Sequence, residues 1–373
     1  MEHLLVTVKE ANRNQAERLT RHKTETGQPV MGYLCTHVPE ELIYAAGFLP
    51  TRVTSRQEEI TDADSFLQSY VCSFARSCLD QGLKGHYKYL DGLVGVHSCD
   101  TIRGIYGIWK RNIPMRFTAF LGLPIALDRP EARELVRQEF KALRRQLEEY
   151  TGKSITDESI RKAISIYNKN RRLLAQVAAL RSDSARFLSG GEFLEVVNAG
   201  FSMPKEEHSA LLRQLLTAVK NRKEISRGKV RVLVSGSVMD DALILQLVEE
   251  TGGAVVADDL CTGSRYFSTV VSEEGDPLEA LVDHYFQKIF CACKFPFARR
   301  KERLLRLVDE YHIQGVILLL QKFCDPHFWD LPALKAAFEE RGIPLQLVEY
   351  EHRVGSPGVI KNRIQSLIEM IGG

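Results

Sequence analysis

The sequence predicts an α/β protein built on two parallel sheets with a helical segment between them, and three observations carry that prediction. From about Gln28 to Asp128, short apolar runs alternate with helical stretches, the pattern of strands joined by crossover helices. Residues 129–228 instead place apolar residues at three- and four-residue spacing, the signature of amphipathic helices. Residues 229–373 return to strand, turn and helix. The expected organisation is two Rossmann-like α/β domains joined by a helical segment, with boundaries at 1–128, 129–228 and 229–373 and a short helical leader before the first strand.

Each element has its own signal. PVMGYLCTHVPEELIYAAG reads as a strand, a turn containing Cys35, and a helix opening near Pro39, where proline is tolerated in the first turn. LDGLVGVHSC and MRFTAFLGLP are the next strands. PEARELVRQEFKALRRQLEEY, DESIRKAISIYNKNRRLLAQVAAL and PKEEHSALLRQLLTAVKNRKE are helical. KVRVLVSGSVMDDALILQLVEETGGAVVADDL gives strand, turn, helix and strand. IQGVILLLQKFC and IPLQLVEYEH add two strands, and VIKNRIQSLIEMI a closing helix.

Charge and composition exclude several function classes. Fifty basic residues against 48 acidic leave a net charge of +2, no footprint for a nucleic-acid backbone or an anionic membrane. No apolar run approaches the roughly 20 residues needed to span a bilayer, and the start has no signal-peptide core. A cytoplasmic protein, with neither nucleic acid nor membrane as partner, is the expectation. Thr151–Ser154 reads TGKS, but the glycine a phosphate-binding loop requires would fall at Leu147, and the segment joins two helices. No G-x-G-x-x-G follows a strand, which leaves a dinucleotide site without its fingerprint.

The eight cysteines carry the functional signal. A reducing cytosol disfavours disulfides, and buried packing cysteines would scatter along helix and strand faces. Here Cys35, Cys99, Cys261 and Cys324 each follow a strand, and Cys291 and Cys293 lie in the loop-like FCACKFPF. Cys72 and Cys78 fall just before or on a helix. Open parallel sheets bind ligands outside the carboxyl ends of their strands, so at least six of these thiols sit on expected functional edges. Cys99 and Cys324 also stand at helix starts, which lower a thiol's pKa toward the metal-binding thiolate. Convergent thiolates fit zinc or an iron–sulfur cluster. Dispersed ligands without paired C-x2–4-C knuckles favour the cluster over zinc, with inert cysteines as the third explanation.

These residues also resemble a known family. CTHVPEELIYAAG, CSFARSCLD, LDGLVGVHSCDTIRGIYGIW, LVSGSVMDD, DDLCTGSRYF and LLLQKFCDPHFWD are similar to stretches of the 2-hydroxyacyl-CoA dehydratase and benzoyl-CoA reductase family. The resemblance implies an iron–sulfur enzyme component, a separate ATP-hydrolysing iron–sulfur activator that delivers electrons, and a homodimer or a heterodimer with a related subunit. It implies a single 4Fe–4S cluster on Cys72, Cys99 and Cys324. Cys261, Cys291 and Cys293 resemble the additional ligands of the double-cubane branch, whose cluster is 8Fe–9S. Cys35 and Cys78 stand outside that set. The implied chemistry is dehydration or reduction of an acyl-CoA, or reduction of a small molecule. A non-catalytic electron-relay subunit and a zinc-stabilised protein are the competing readings.

Further residues enter as expectations. His37 and Glu41, in CTHVPEE, are candidate catalytic groups, because electron delivery to such substrates needs protons as well. His97 and His327 flank two of the Cys-Asp turns and are placed to tune a cluster. ARRKER, from Ala298 to Arg303, reads as a charged helix face or a phosphate-binding patch. Ser235–Ser237 forms a strand-end turn of a kind that binds anions.

Overall fold

The structure, a computed structural model, describes residues 1–182, 188–219, 222, 230–288 and 291–372. The expected boundary at 228–229 lies outside the described residues, as does most of the end of PKEEHSALLRQLLTAVKNRKE. Two four-stranded sheets, parallel throughout, form the framework. The first contains β1 (Val30–Tyr33), β2 (Leu49–Arg52), β3 (Gly92–Val96) and β4 (Phe117–Leu121), in the order β2-β1-β3-β4. The second contains β5 (Val230–Gly236), β6 (Gly253–Asp259), β7 (Gly315–Gln321) and β8 (Leu345–Tyr350), in the order β6-β5-β7-β8. Both sheets thus repeat one plan, and the α/β class expected from the alternation holds.

The apolar runs follow from position in the sheet. β5 and β7 are central and covered on both faces, so VRVLVSG and GVILLLQ are nearly continuous in apolar residues. β4 is an edge strand and alternates buried with half-buried residues. β2 gave no signal in the sequence: LPTR is short, and its Pro50 is tolerated because the strand lies at the sheet edge. Between the sheets in the chain run, among the described residues, the helices Ala132–Thr151, Asp157–Ala179, Gly190–Ala199 and Lys205–Ala218. TGKS is their first turn: Gly152 takes a left-handed φ of 67° to end one helix, and the Thr156 hydroxyl accepts the Ser159 N–H at 3.1 Å to start the next.

The helices after β6 determine where the last cysteines go. Tyr266, Leu278, Leu281 and Tyr285 share one apolar core with Tyr33 of β1 and with Phe140, Ile164 and Leu174 of the helical segment. Segments Ser264–Phe267 and Pro277–Gln287 are therefore packed on the first half of the chain. The chain leaving them is held against the first sheet, with the Phe295 N–H donating to the Ile125 carbonyl at 2.9 Å and the Lys294 ammonium to the His97 and Pro124 carbonyls at 3.1 and 2.7 Å. This hold carries Cys291 and Cys293 to the end of β3. Behind it lies a buried tie. The Glu41 carboxylate pairs with Arg171 at 2.5 Å and accepts the Tyr285 hydroxyl at 2.8 Å, with Glu41 and Arg171 both at most 1% exposed.

A glycine fixes the exit from β5. Gly236 has φ of 151°, and a Cβ there would lie 1.9 Å from the Leu319 carbonyl oxygen. The close approach lets the Ser237 N–H donate to that carbonyl at 2.9 Å, and the Ser237 hydroxyl accepts the Gln321 N–H at 3.2 Å. Replacing Gly236→Ala should cost about 3 kcal/mol, from backbone strain together with the clash; a loss within experimental error in urea unfolding would show that the backbone relaxes freely. Replacing Glu41→Gln leaves Arg171 as a buried unpaired charge and should cost about 3–5 kcal/mol by the same measurement. A loss of under about 1 kcal/mol would show that the pair is not shielded from water.

Candidate functional site

In an open parallel sheet, the crevice that receives ligands lies where the strand order reverses. That reversal falls between β1 and β3 in one sheet and between β5 and β7 in the other. Both open onto the same cavity, the kind of place where such folds receive ligands. Its wall takes Cys35 and His37 after β1, Ser98 and Cys99 after β3, Ser237 after β5, Cys261 after β6, and Gln321 and Cys324 at the end of β7. Cys72, Cys291 and Cys293 complete it. Seven of the eight cysteines thus line one cavity. The eighth, Cys78, is fully buried within the helix Ser73–Leu83 and packs in the core.

Three of the thiols are held in one way. Cys72, Cys99 and Cys324 each occupy the residue immediately before a helix, at Ser73–Leu83, Asp100–Asn112 and Asp325–Glu339. Free N–H groups at such a start favour negative charge. At Cys99 the effect is visible as a contact, the sulfur accepting the Ile102 N–H at 3.5 Å. A hydrogen bond from Cys293, with that N–H, holds the Cys99 thiol below its ordinary range despite burial. At Cys324 burial wins and pushes the thiol up to about 11, against the Ser237 hydroxyl and the His327 N–H. Burial likewise raises Cys72, and its neighbours Cys324 and Cys99 add to the rise. The thiolate expected at both helix starts is therefore favoured at Cys99 alone; Cys324 needs an added positive charge.

The other thiols form a second neighbourhood. Burial pushes Cys35 up to about 11, with Cys261 and Cys291 the nearest like groups. Arg52 donates to the Cys261 sulfur at 3.4 Å and to its carbonyl at 3.5 Å. Cys291 is held well below its ordinary range by hydrogen bonds from Cys293, His327 and His37 and by the charge of Arg265. Cys293 lies between the neighbourhoods, in contact with both Cys99 and Cys291.

The wall has a one-sided charge. Arg52, Arg265 and Lys288 line it, and among the described residues no aspartate or glutamate does. Arg265 is anchored from behind by Asp259, to which its Nε and Nη2 donate at 3.0 and 2.7 Å. Burial alone would raise the Asp259 carboxyl, but Arg265, Arg303 and Arg300 hold it below the carboxylate range. Among the described residues no three His, Cys, Asp or Glu side chains are drawn together tightly enough to hold a single metal ion. The donors ring a cavity instead, an arrangement suited to a group with several metal atoms, each taking its own thiolate.

The other expected residues divide. His37 and His327 line the cavity, are at most 6% exposed, and both contact Cys291. His97 does not line it; its carbonyl holds Lys294. Glu41 is not among the lining residues either, being occupied by Arg171 and Tyr285. The Ser235–Ser237 turn has its hydroxyls committed, Ser235 donating to Asp259 at 2.9 Å and Ser237 bonded to Cys324, so it is not an open anion site. ARRKER is not simply an outward charged face. Arg300 is buried on Asp330 at 2.6 Å, and Arg303 reaches Asp259 at 3.3 Å. Sequence reasoning placed Cys35 after a strand but outside the ligand set, and it missed Arg52, Arg265 and Lys288. Only the strand-end position of Arg52, and the proximity of Lys288 to the C-A-C pair, offered any signal.

The sequence is similar to known proteins along nearly its whole length. A model of the family described as 2-hydroxyglutaryl-CoA dehydratase, D-component, matches residues 35–371. The chain is 27% identical over 358 residues to the (R)-phenyllactyl-CoA dehydratase beta subunit of Clostridium sporogenes, covering 96% of each chain. It is 28% identical over 356 residues to one of the subunits of benzoyl-CoA reductase from Thauera aromatica, covering 94% of this chain and 92% of that one. It is 27% identical over 380 residues to the lactoyl-CoA dehydratase subunit beta of Anaerotignum propionicum, covering 100% and 99%. With relatives named as dehydratases and a reductase, the protein is an enzyme component. From its cysteine-lined switch points to its nearly full-length match, the chain belongs to the family of the 2-hydroxyglutaryl-CoA dehydratase D-component.

Proposed function

We propose that this chain is the iron–sulfur catalytic component of a low-potential reductase or dehydratase system acting on a small molecule or an acyl-CoA, and that it carries a double-cubane 8Fe–9S cluster. The observation that carries the reading is the gathering of seven thiols at the switch points of two sheets, on a cationic wall that among the described residues has no carboxylate. Cys72, Cys99 and Cys324 would hold one cubane, and Cys261, Cys291 and Cys293 the other. When bound, such a cluster supplies single electrons at a potential set by its charge and surroundings. The chain's own residues supply the rest. Helix starts and the cations Arg52 and Arg265 offset the negative charge of the thiolates. His37 and His327 orient Cys291, and burial pushes the His37 imidazole below its ordinary range, so that it stands beside the cavity as a neutral group able to exchange a proton. Glu41 acts from behind the wall, through Tyr285 and Arg171.

The relatives are named as single subunits of larger enzymes, two of them as beta subunits, which supports a second, related subunit, in a heterodimer or as a second copy. The family resemblance supports an ATP-hydrolysing activator as the electron source. No helix of the described residues is long and apolar enough to cross a membrane.

Anaerobically purified protein should contain about eight irons and about nine acid-labile sulfides per chain. About four irons would reduce the reading to one cubane on Cys72, Cys99 and Cys324, and zinc in place of iron would overturn it. Paired substitutions test the ligands. Cys324→Ser should lower iron content sharply, whereas Cys78→Ala should leave it unchanged and cost only about 1 kcal/mol of stability from the lost packing. Unchanged iron in Cys324→Ser would remove that residue from the ligand set.

A further inference from the structure

Of the cations on the cavity wall, two are engaged. Arg52 donates to Cys261, and Arg265 clasps Asp259 and reaches the Gly236 carbonyl at 3.2 Å. Lys288 differs. Its side chain is 5% exposed, and among the described residues its ammonium has no hydrogen-bond partner. It lies 5.3 and 5.1 Å from the ring centroids of Tyr266 and Tyr285, whose faces attract a cation without accepting a directed hydrogen bond.

The carboxylates nearby each face another cation, although Glu40 Oε1 accepts no hydrogen bond among the described residues and both also act on Lys288. Glu40 pairs with Lys205 at 3.3 Å, and Glu41 with Arg171 and Tyr285. In this buried group three cations, Arg171, Lys205 and Lys288, face two carboxylates. The unbalanced charge is the one at the cavity wall. Burial, followed by the charge of Arg171, pushes the Lys288 ammonium down to about 7. The thiol whose charge acts on it most is Cys35, which lies outside the proposed ligand set. A buried donor without a partner is costly, and Lys288 lines the cavity, so a bound group that reaches its ammonium would complete it.

We propose that Lys288 binds the acyl oxygen, carboxylate or carbonyl, of the molecule that enters this cavity. The acyl class rests on the functional reading above; the oxygen site does not. A negative oxygen there receives a charge-assisted hydrogen bond and supplies the acceptor that the fold withholds.

Thermal unfolding of the full chain, iron-free and iron-loaded, tests this with sodium formate titrated against sodium chloride at constant ionic strength. Formate should raise the wild-type Tm saturably. Lys288→Met should weaken formate by about tenfold or more. Without formate its Tm should equal or exceed the wild-type value, because an unpaired buried charge is gone, and its iron content should be unchanged. An equal formate response in both proteins overturns the proposal. So does a lower Tm of Lys288→Met without formate, which would assign the ammonium to the fold, or a loss of iron, which would assign it to the cluster. Benzoyl-CoA titrated in parallel separates the two ideas. A Lys288-dependent formate response without benzoyl-CoA binding upholds the oxygen site and removes the acyl-CoA reading.

Discussion

Positive charge and thiols are buried together here with, among the described residues, no carboxylate on the same wall, and the rest of the site follows from that imbalance. Buried arginines need anions, and this fold supplies them from the layer behind: Asp259 for Arg265, Arg300 and Arg303, and Asp330 for Arg300. The wall can then present guanidinium edges to the cavity while the balancing charge stays outside it. A thiol in such a place is pushed toward its neutral form by burial, as at Cys35, Cys72 and Cys324. It becomes a ligand only when positive charge arrives to meet it.

Two plans cooperate to build that wall. The repeated strand order places a ligand-receiving crevice in each half. The excursion of residues 264–287 onto the helical segment then returns the chain beside the first sheet, which explains how Cys293, late in the sequence, comes to touch Cys99, with Cys291 against it. The burial of Tyr266 and Tyr285 in that shared core also supplies the rings under Lys288. Packing and site chemistry use the same two side chains.

Much of this was legible in the residues. The buried runs of β5 and β7, the helical periodicity between the sheets and the TGKS turn were all readable, because each rests on local pattern. β2 was not, since a four-residue edge strand containing proline has no periodicity to detect. The strand-end cysteines could be read as one group through the geometry of parallel sheets, without knowing which would touch. The partners of Glu41, Arg300 and Arg303 were hidden for the opposite reason. A charged residue in a polar stretch looks solvated until a distant segment, such as Arg171 or Asp259, closes over it. Lys288 was concealed twice, by its charge and by having, among the described residues, no hydrogen-bond partner to betray it.

The three helix-start cysteines have a mechanical meaning as well. Cys72 and Cys99 belong to the first sheet's half and Cys324 to the second's, so a group gripped by all three is a staple across the chain as much as a cofactor. Closing so long a loop removes conformational freedom from the unfolded state. On the proposed reading, losing such a group would therefore do more than remove a cofactor. It would take away one tie between the two halves and leave the apolar core that residues 264–287 share with the helical segment to hold them.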